Sequence, residues 1–332
     1  ELMGADLAHM AGLIIFMDPP QHDSMRALVS RAFTPRRVAA LEERIRHICR
    51  EQLDPQVGGE GFDYLKDFGA QLPSRVISSL LGVPESDRPR VLHLIDTVFY
   101  IEPEVGMIND VSFAAQMELV EYLQGQIADR RSNPRDDLLT ALTEAEMATD
   151  GESTRRLTDE EASGFGNLLI SAGTETVARM LGWAAVVLDE YPDQRAQLAA
   201  DPSLIPNAVE ELLRYESPSP VQGRWTSREV ELHNEVIPAD SKVLLLTGSA
   251  GRDERAFPDP DRFDINRHFD QHVSFGIGPH FCLGAALARL EGRIALEETL
   301  ARFPHWKVDH EKAVRLHTST VRGYKEVPIL IR

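Results

Sequence analysis

The chain of 332 residues is long enough to bury a sizeable core as one large domain or two, and its formal charge of −18 argues against nucleic acid and anionic membranes as partners. Its two cysteines, Cys49 and Cys282, give no disulfide framework and fit a reducing cytoplasm. No secretory leader is legible, and the apolar runs, such as Gly12 to Met17 and Val243 to Leu246, are far too short to span a membrane.

In chain order, His22 and Arg26 form the only His-x-x-x-Arg and lie one helical turn apart. Two cationic donors on one face suit a pair of carboxylates. Arg26, Arg31, Arg36, Arg37, Arg44, Arg46 and Arg50 crowd the same region; with Arg289 and Arg293 they read either as solvated helix faces or as a positive patch. Leu41 to Leu53 reads as a helix with Cys49 a small core residue.

Leu157 to Glu190 is the longest expected helix, opened by a capping box of Thr158 and Glu161 and stopped before Pro192. Thirty-odd residues span roughly 45–50 Å, enough to cross a domain. Its Gly164, Gly166, Gly173 and Gly182 cost helix stability and point to close packing or a groove. Midway stands Ala172-Gly173-Thr174-Glu175-Thr176, either a polar helix interior with hydroxyls bonded back one turn or an acid–alcohol proton relay.

Asn207 to Tyr215 is a further helix with Glu211 and Arg214 on one face. The same spacing recurs at Glu43/Arg46, Glu85/Arg88 and Glu152/Arg155, so alone it signifies little. Val230 to Leu232, Glu235 to Ile237 and Lys242 to Thr247 read as short strands, and Thr318 to Ile331 as a terminal hairpin or paired strands. There are no repeats or low-complexity linkers, so residues 1–332 read as one α-dominated domain with a minor β portion.

Phe275-Gly276-Ile277-Gly278-Pro279-His280-Phe281-Cys282-Leu283-Gly284 is the most specific segment. Its glycines let backbone approach something bulky and planar, and a cysteine at a helix start sees the positive dipole end that favours thiolate. A dinucleotide loop would need glycine at Phe281, and no Gly-Lys-Ser/Thr follows for a phosphate loop. A zinc site could draw on His268, His272, His280 and Cys282, but without the usual paired spacing. An inert lone cysteine is the plainest alternative.

This loop resembles that of cytochrome P-450, Phe-Gly-x-Gly-x-His/Arg-x-Cys-x-Gly, at every fixed position. The motifs at 22–26, 172–176, 211–214, 260–263 and 275–284 extend the resemblance from about Asp18 to the C-terminus. It implies a mainly α fold with a minor β portion: a single large helical domain with a long central helix and small β-sheets. It further implies heme b (iron protoporphyrin IX) ligated by Cys282, with His22, Arg26, Arg224 and His280 at the propionates. Ala172, Phe275, Gly276 and Gly284 would lie against the heme, and Glu175 and Thr176 would be the acid–alcohol pair. Glu211, Arg214 and Arg262 would form a buried triad behind the heme. Phe165, Leu168, Leu169, Val221, Ser319 and Thr320 resemble lining for a hydrophobic substrate such as a lipid, terpenoid, steroid or polyketide.

The implied activity is a cytoplasmic, bacterial-type monooxygenase using dioxygen and NAD(P)H-derived electrons. Ferredoxin reductase and a ferredoxin would deliver them, the ferredoxin docking near Arg289, Arg293 and the early arginines. A peroxide-driven peroxygenase and a non-enzymic heme-thiolate sensor or carrier remain the alternatives. Val177 replaces a second threonine, Gly251 replaces a frequent asparagine, and an N-terminal segment usual in the family is missing.

Overall fold

One helix organises the molecule. In the computed structural model, which describes residues 12–331 apart from 31–32, 103, 107–108, 149–153, 269 and 319, it runs from Asp159 to Glu190. Before it come α1 (Gln21–Ser30), α2 (Pro35–Ala39), α3 (Glu42–Leu53), α4 (Gln71–Leu81), α5 (Arg88–Val98), α6 (Asp110–Ser132) and α7 (Leu138–Glu144). The long helix is α8 (Asp159–Glu190), followed by α9 (Pro192–Ala200), α10 (Ile205–Tyr215), α11 (Thr247–Ala250) and α12 (Ala285–Arg302).

The capping box forms as the sequence requires. Glu161 donates its N–H to Thr158 Oγ1 at 3.1 Å, and Thr158 returns its own to Glu161 Oε2 at 2.9 Å. Two apolar cores flank α8. Its first half packs with Met25, Leu94, Leu119 and Leu139 through Phe165 and Ile170. Its second half packs with Leu65, Phe68, Leu212 and Ile294 through Val186 and Trp183. Fully burying one such side chain contributes roughly 1.5–3 kcal/mol, so two-sided packing outweighs the propensity penalty of the helix glycines.

The strands are short: β1 (Gly61–Asp63), β2 (Glu146–Ala148), β3 (Thr154–Arg156), β4 (Gln222–Trp225), β5 (Val230–Leu232), β6 (Glu235–Ile237), β7 (Lys242–Leu245), β8 (Trp306–Val308), β9 (Val314–Arg315), β10 (Tyr324–Glu326) and β11 (Pro328–Ile331). The three-stranded sheet has the order β1-β11-β8, and β2-β3, β4-β7, β5-β6 and β9-β10 form antiparallel pairs. The C-terminal strands do not form a hairpin with each other. Only Val327 separates β10 from β11, fewer residues than a hairpin loop needs, so β11 inserts between β1 and β8 with Ile329 opposite Phe62 and Val308. Among the described residues no helix is long and apolar enough to cross a membrane.

One core position carries a measurable liability. Glu291 on α12 is 2% exposed, its Oε1 has no hydrogen-bond partner, and burial pushes its carboxyl up to about 8 from an ordinary 4.5. Between those values the unfolded chain releases a proton that the folded chain retains, so this group makes stability fall as pH rises from 4.5 to 8. Glu291→Gln is expected to flatten that slope, leaving the variant more stable than the parent at pH 8 by on the order of a few kcal/mol in denaturant titrations. Identical pH profiles for the two proteins would show that the carboxyl is ionised in the fold.

Candidate active site

The cysteine loop is shaped by its own backbone. Gly276 and Gly278 adopt φ of 71° and 73°, a region that side-chain-bearing residues rarely occupy. Gly276 N–H donates to Val273 O at 2.9 Å, and Cys282 N–H reaches back to Phe275 O at 2.8 Å, closing the loop just before α12. A Cβ at Gly278 or Gly284 would meet nothing within 4 Å, so open space lies beside these two positions of the loop.

Cys282 is exposed, yet packing around its thiol pushes the pKa above its ordinary value. The Gly284 N–H, Arg26 and Arg289 pull in the opposite direction and lose. A coordinated metal would deprotonate the sulfur directly. Cys49, by contrast, is wholly buried and its thiol is raised by burial, an inert core residue.

A cationic wall stands next to the loop. His22 on α1 is fully buried, its Nδ1 is 2.9 Å from Asp23 Oδ1, and its Nε2 has no partner. The His22 and His280 rings lie 4.3 Å apart, and Arg26 Nη2 donates to Phe281 O at 2.6 Å. Burial, followed by His22, Arg224 and Arg26, holds His280 below its ordinary pKa, with Asp18 opposing. These four basic groups thus act on one place, and an orphaned buried imidazole nitrogen there fits an anionic carboxylate. The donor set is that expected of a heme propionate site.

Behind the loop, Glu211 and Arg214 are fully buried in a bidentate pair at 2.7 and 2.8 Å. Arg214 uses every remaining donor, on Gly251 O at 2.7 Å, Pro260 O at 2.8 Å and Arg262 O at 3.2 Å. The third member is Arg267, whose Nε donates to Glu211 Oε1 at 3.1 Å, and not Arg262 as the resemblance implied. The Arg262 side chain is 61% exposed and 3.8 Å from Asp264; only its carbonyl joins the network. Arg262 lies in a turn closed by its N–H on Asp259 O at 3.2 Å, with its side chain out and the following Phe263 buried. Gly251 is also accounted for: a Cβ there would come within 2.4 Å of Arg214 O.

On α8 the acid and the alcohol diverge. Thr176 Oγ1 donates to Ala172 O at 3.0 Å on a partly open face shared with Leu168 and Ala172. Glu175 is 2% exposed and turned inward, its Oε2 receiving Arg179 Nε and Nη2 at 3.1 and 2.9 Å. Of the expected substrate residues, Leu168 and Val221 are half-buried and Thr320 is exposed; Ser319 lies outside the described residues. Leu169 and Phe165 are instead core residues, Phe165 with no exposed surface. The chain at Gly12 covers that turn so closely that a Cβ would be 2.9 Å from the Phe165 nitrogen.

The expected positive patch is largely neutralised. Arg289 pairs with Glu210 at 2.6 Å, Arg293 with Glu42 at 2.8 Å, and Arg46 with Glu42, Glu297 and Glu298 at 2.5–3.2 Å. Burial would raise the Glu210 carboxyl, but hydrogen bonds from His272 and Arg289 bring it down to about 2. Arg289 also lies 4.5 Å over the Phe275 ring. Arg36 and Arg37 on α2 remain exposed and without an ion pair among the described residues. Their neighbours Pro35 and Val38 line a cavity of about 430 Å³ with Pro206, Val209 and Leu290, together with the paired Glu210, Arg289 and Arg293. No three His, Cys, Asp or Glu side chains among the described residues gather for a metal.

A buried Glu–Arg lock, a cysteine in a glycine loop and a cationic wall beside that loop are the parts that the resemblance to a heme-thiolate protein called for. The Cytochrome P450 family profile matches residues 4–323, and the chain belongs to that family of monooxygenase oxidoreductases. It is 42% identical over 320 residues to putative cytochrome P450 123 of Mycobacterium tuberculosis, covering 96% of this chain and 78% of the relative. It is 38% identical over 315 residues to the 6-deoxyerythronolide B hydroxylase of Saccharopolyspora erythraea, covering 94% and 76%. Among solved structures, a mutant of P450 EryK in complex with erythromycin B superposes with a TM-score of 0.91 at 39% identity, covering 99% of this chain and 83% of that one.

Proposed function

We propose that the protein binds heme b through Cys282 and hydroxylates or epoxidises an apolar small molecule, taking electrons from a ferredoxin. The observation that carries this reading is Cys282 in its open glycine loop beside the orphaned His22 Nε2, with Arg26, Arg224 and His280 at hand. When bound, the heme supplies an iron that activates dioxygen, delivering one oxygen atom to the substrate and reducing the other to water with the two electrons of NAD(P)H.

The residues divide the remaining work. His22, Arg26, Arg224 and His280 pair with the propionates, while Phe275, Gly276, Gly284 and Ala172 admit the macrocycle. Glu211, Arg214 and Arg267 hold the backbone between Gly251 and Arg262 rigid ahead of the loop. Thr176 presents a hydroxyl on the open face of α8, and Glu175 carries protons inward from behind it. Leu168, Val221 and Thr320 line an apolar pocket in this reading, and the similarity to relatives named for 6-deoxyerythronolide B and erythromycin supports a polyketide as the substrate to try first. The ferredoxin reads best as an acidic partner meeting Arg36, Arg37 and the apolar cavity beside them, since Arg289 and Arg293 are already paired. The reducing cytoplasm suits a chain whose cysteines are one buried thiol and one metal ligand.

Thr176→Ala is expected to keep consuming NADH while product per NADH falls roughly ten- to a hundredfold and hydrogen peroxide takes its place. The measurement uses an apolar substrate identified by its spin-state shift. Undiminished coupling in this variant would remove Thr176 from proton delivery.

A further inference from the structure

Glu175, Arg179 and Trp183 are spaced four apart and form one stripe along α8. Trp183 and Arg179 meet a single short segment, Arg322 to Tyr324, and Glu175 is joined to it through Arg179. Trp183 Nε1 donates to Arg322 O at 3.0 Å, and the Arg322 guanidinium lies 4.8 Å over the Trp183 ring. The Tyr324 ring stands edge-on to Trp183 at 5.1 Å. Arg179 Nη1 donates to Tyr324 O, while its Nε and Nη2 hold Glu175 Oε2. Gly323 is the contact between them, since a Cβ there would come within 2.9 Å of Arg179 Cβ.

Arg179 is 4% exposed, and its planar fork is fixed at both ends, by a carboxylate on its own helix and by a carbonyl from far along the chain. An ordinary i,i+4 ion pair needs no such second anchor. Both bonds to the acid fall on Oε2, and Oε1 receives no donor among the described residues. The segment itself is tethered, with Arg322 N–H on Pro218 O at 2.8 Å and Leu316 N–H on Gly323 O at 3.0 Å. Immediately upstream, Thr320 O accepts Ser219 Oγ at 3.4 Å within the expected pocket lining.

We propose that Arg179 is a positioning residue that ties the proton-carrying Glu175 to residues 322–324, so that the segment following the pocket lining sets the orientation of the acid. This rests on Glu175 being that acid. Displacement of Thr320 and Val321 by a bound molecule is then transmitted through Arg322–Tyr324 to the guanidinium, and from it to the carboxylate. Lysine cannot substitute, because one ammonium cannot hold both partners in a fixed plane.

The test uses heme-loaded Arg179→Gln, Gly323→Ala and Glu175→Gln with two readouts. One is backbone hydrogen exchange at residues 322–326. The other is the solvent isotope effect on NADH oxidation supported by a surrogate ferredoxin and reductase. Arg179→Gln and Gly323→Ala are expected to speed exchange about tenfold and to raise the isotope effect, with the carbon-monoxide spectrum unchanged. Glu175→Gln should raise the isotope effect while leaving exchange within about twofold of the parent. An isotope effect at the parent value in Arg179→Gln, with Glu175→Gln elevated, overturns the proposal and leaves the acid assignment standing. If Arg179→Gln does not fold, Gly323→Ala decides in the same way. An unchanged isotope effect in Glu175→Gln removes the acid and the proposal together.

Discussion

Cys282→Ser is expected to lose the strongly red-shifted Soret band of the reduced, carbon-monoxide-treated protein, and monooxygenase turnover should fall to background. The shift reports electron donation from a thiolate, which a serine oxygen cannot supply. The fold should survive the change. The hydrogen bond that closes the loop runs from the backbone N–H of residue 282 to Phe275 O, and the lock behind it lies on other residues. Heme should still bind, more weakly, through the cationic wall of His22, Arg26, Arg224 and His280. A red-shifted band retained in the variant would place the iron ligand elsewhere and take the monooxygenase reading with it.

The second large effect is on stability. Glu211→Ala should destabilise the protein by about 3–5 kcal/mol, because it strips the carboxylate from two guanidiniums, Arg214 fully buried and Arg267 nearly so. Asp264 N–H loses its acceptor in the same stroke. Arg262→Ala is the informative control. Its side chain is largely exposed while its carbonyl does the binding, so the change should stay within about 0.5 kcal/mol. Urea titrations of both variants check this, and equal losses would return Arg262 to the lock. Heme retention should track the first variant and ignore the second, since the network holds the backbone that leads into the cysteine loop.

Arg262 and Arg267 show why the site was only partly legible. Both arginines sit in the same stretch of irregular chain, and resemblance pointed at the nearer one to the Pro-x-Arg-Phe motif. The choice between them is made by which side chain shares an inward direction with the surrounding apolar residues. A similar ambiguity hid Arg179. On sequence alone it is one more arginine on a long helix, and its partner carbonyl lies on Tyr324, 145 positions further along. The positive patch is thinned for a related reason: Glu42, Glu210, Glu297 and Glu298 come from three different helices and meet Arg46, Arg289 and Arg293 only in the folded chain.

What the sequence by itself determined is local in origin. The bounds of α12 and the capped start of α8 follow from caps, helix propensities and proline, all acting within a turn or two of chain. The cysteine loop follows from glycines that alone tolerate its two positive φ angles. Tertiary structure decided the rest. It set the inward turn of Glu175, the third member of the Glu211 lock, the burial of Phe165 beneath Gly12, and the insertion of β11 between β1 and β8. Each depends on what lies opposite a side chain or a strand edge, and packing brings those partners together from positions far apart in the chain.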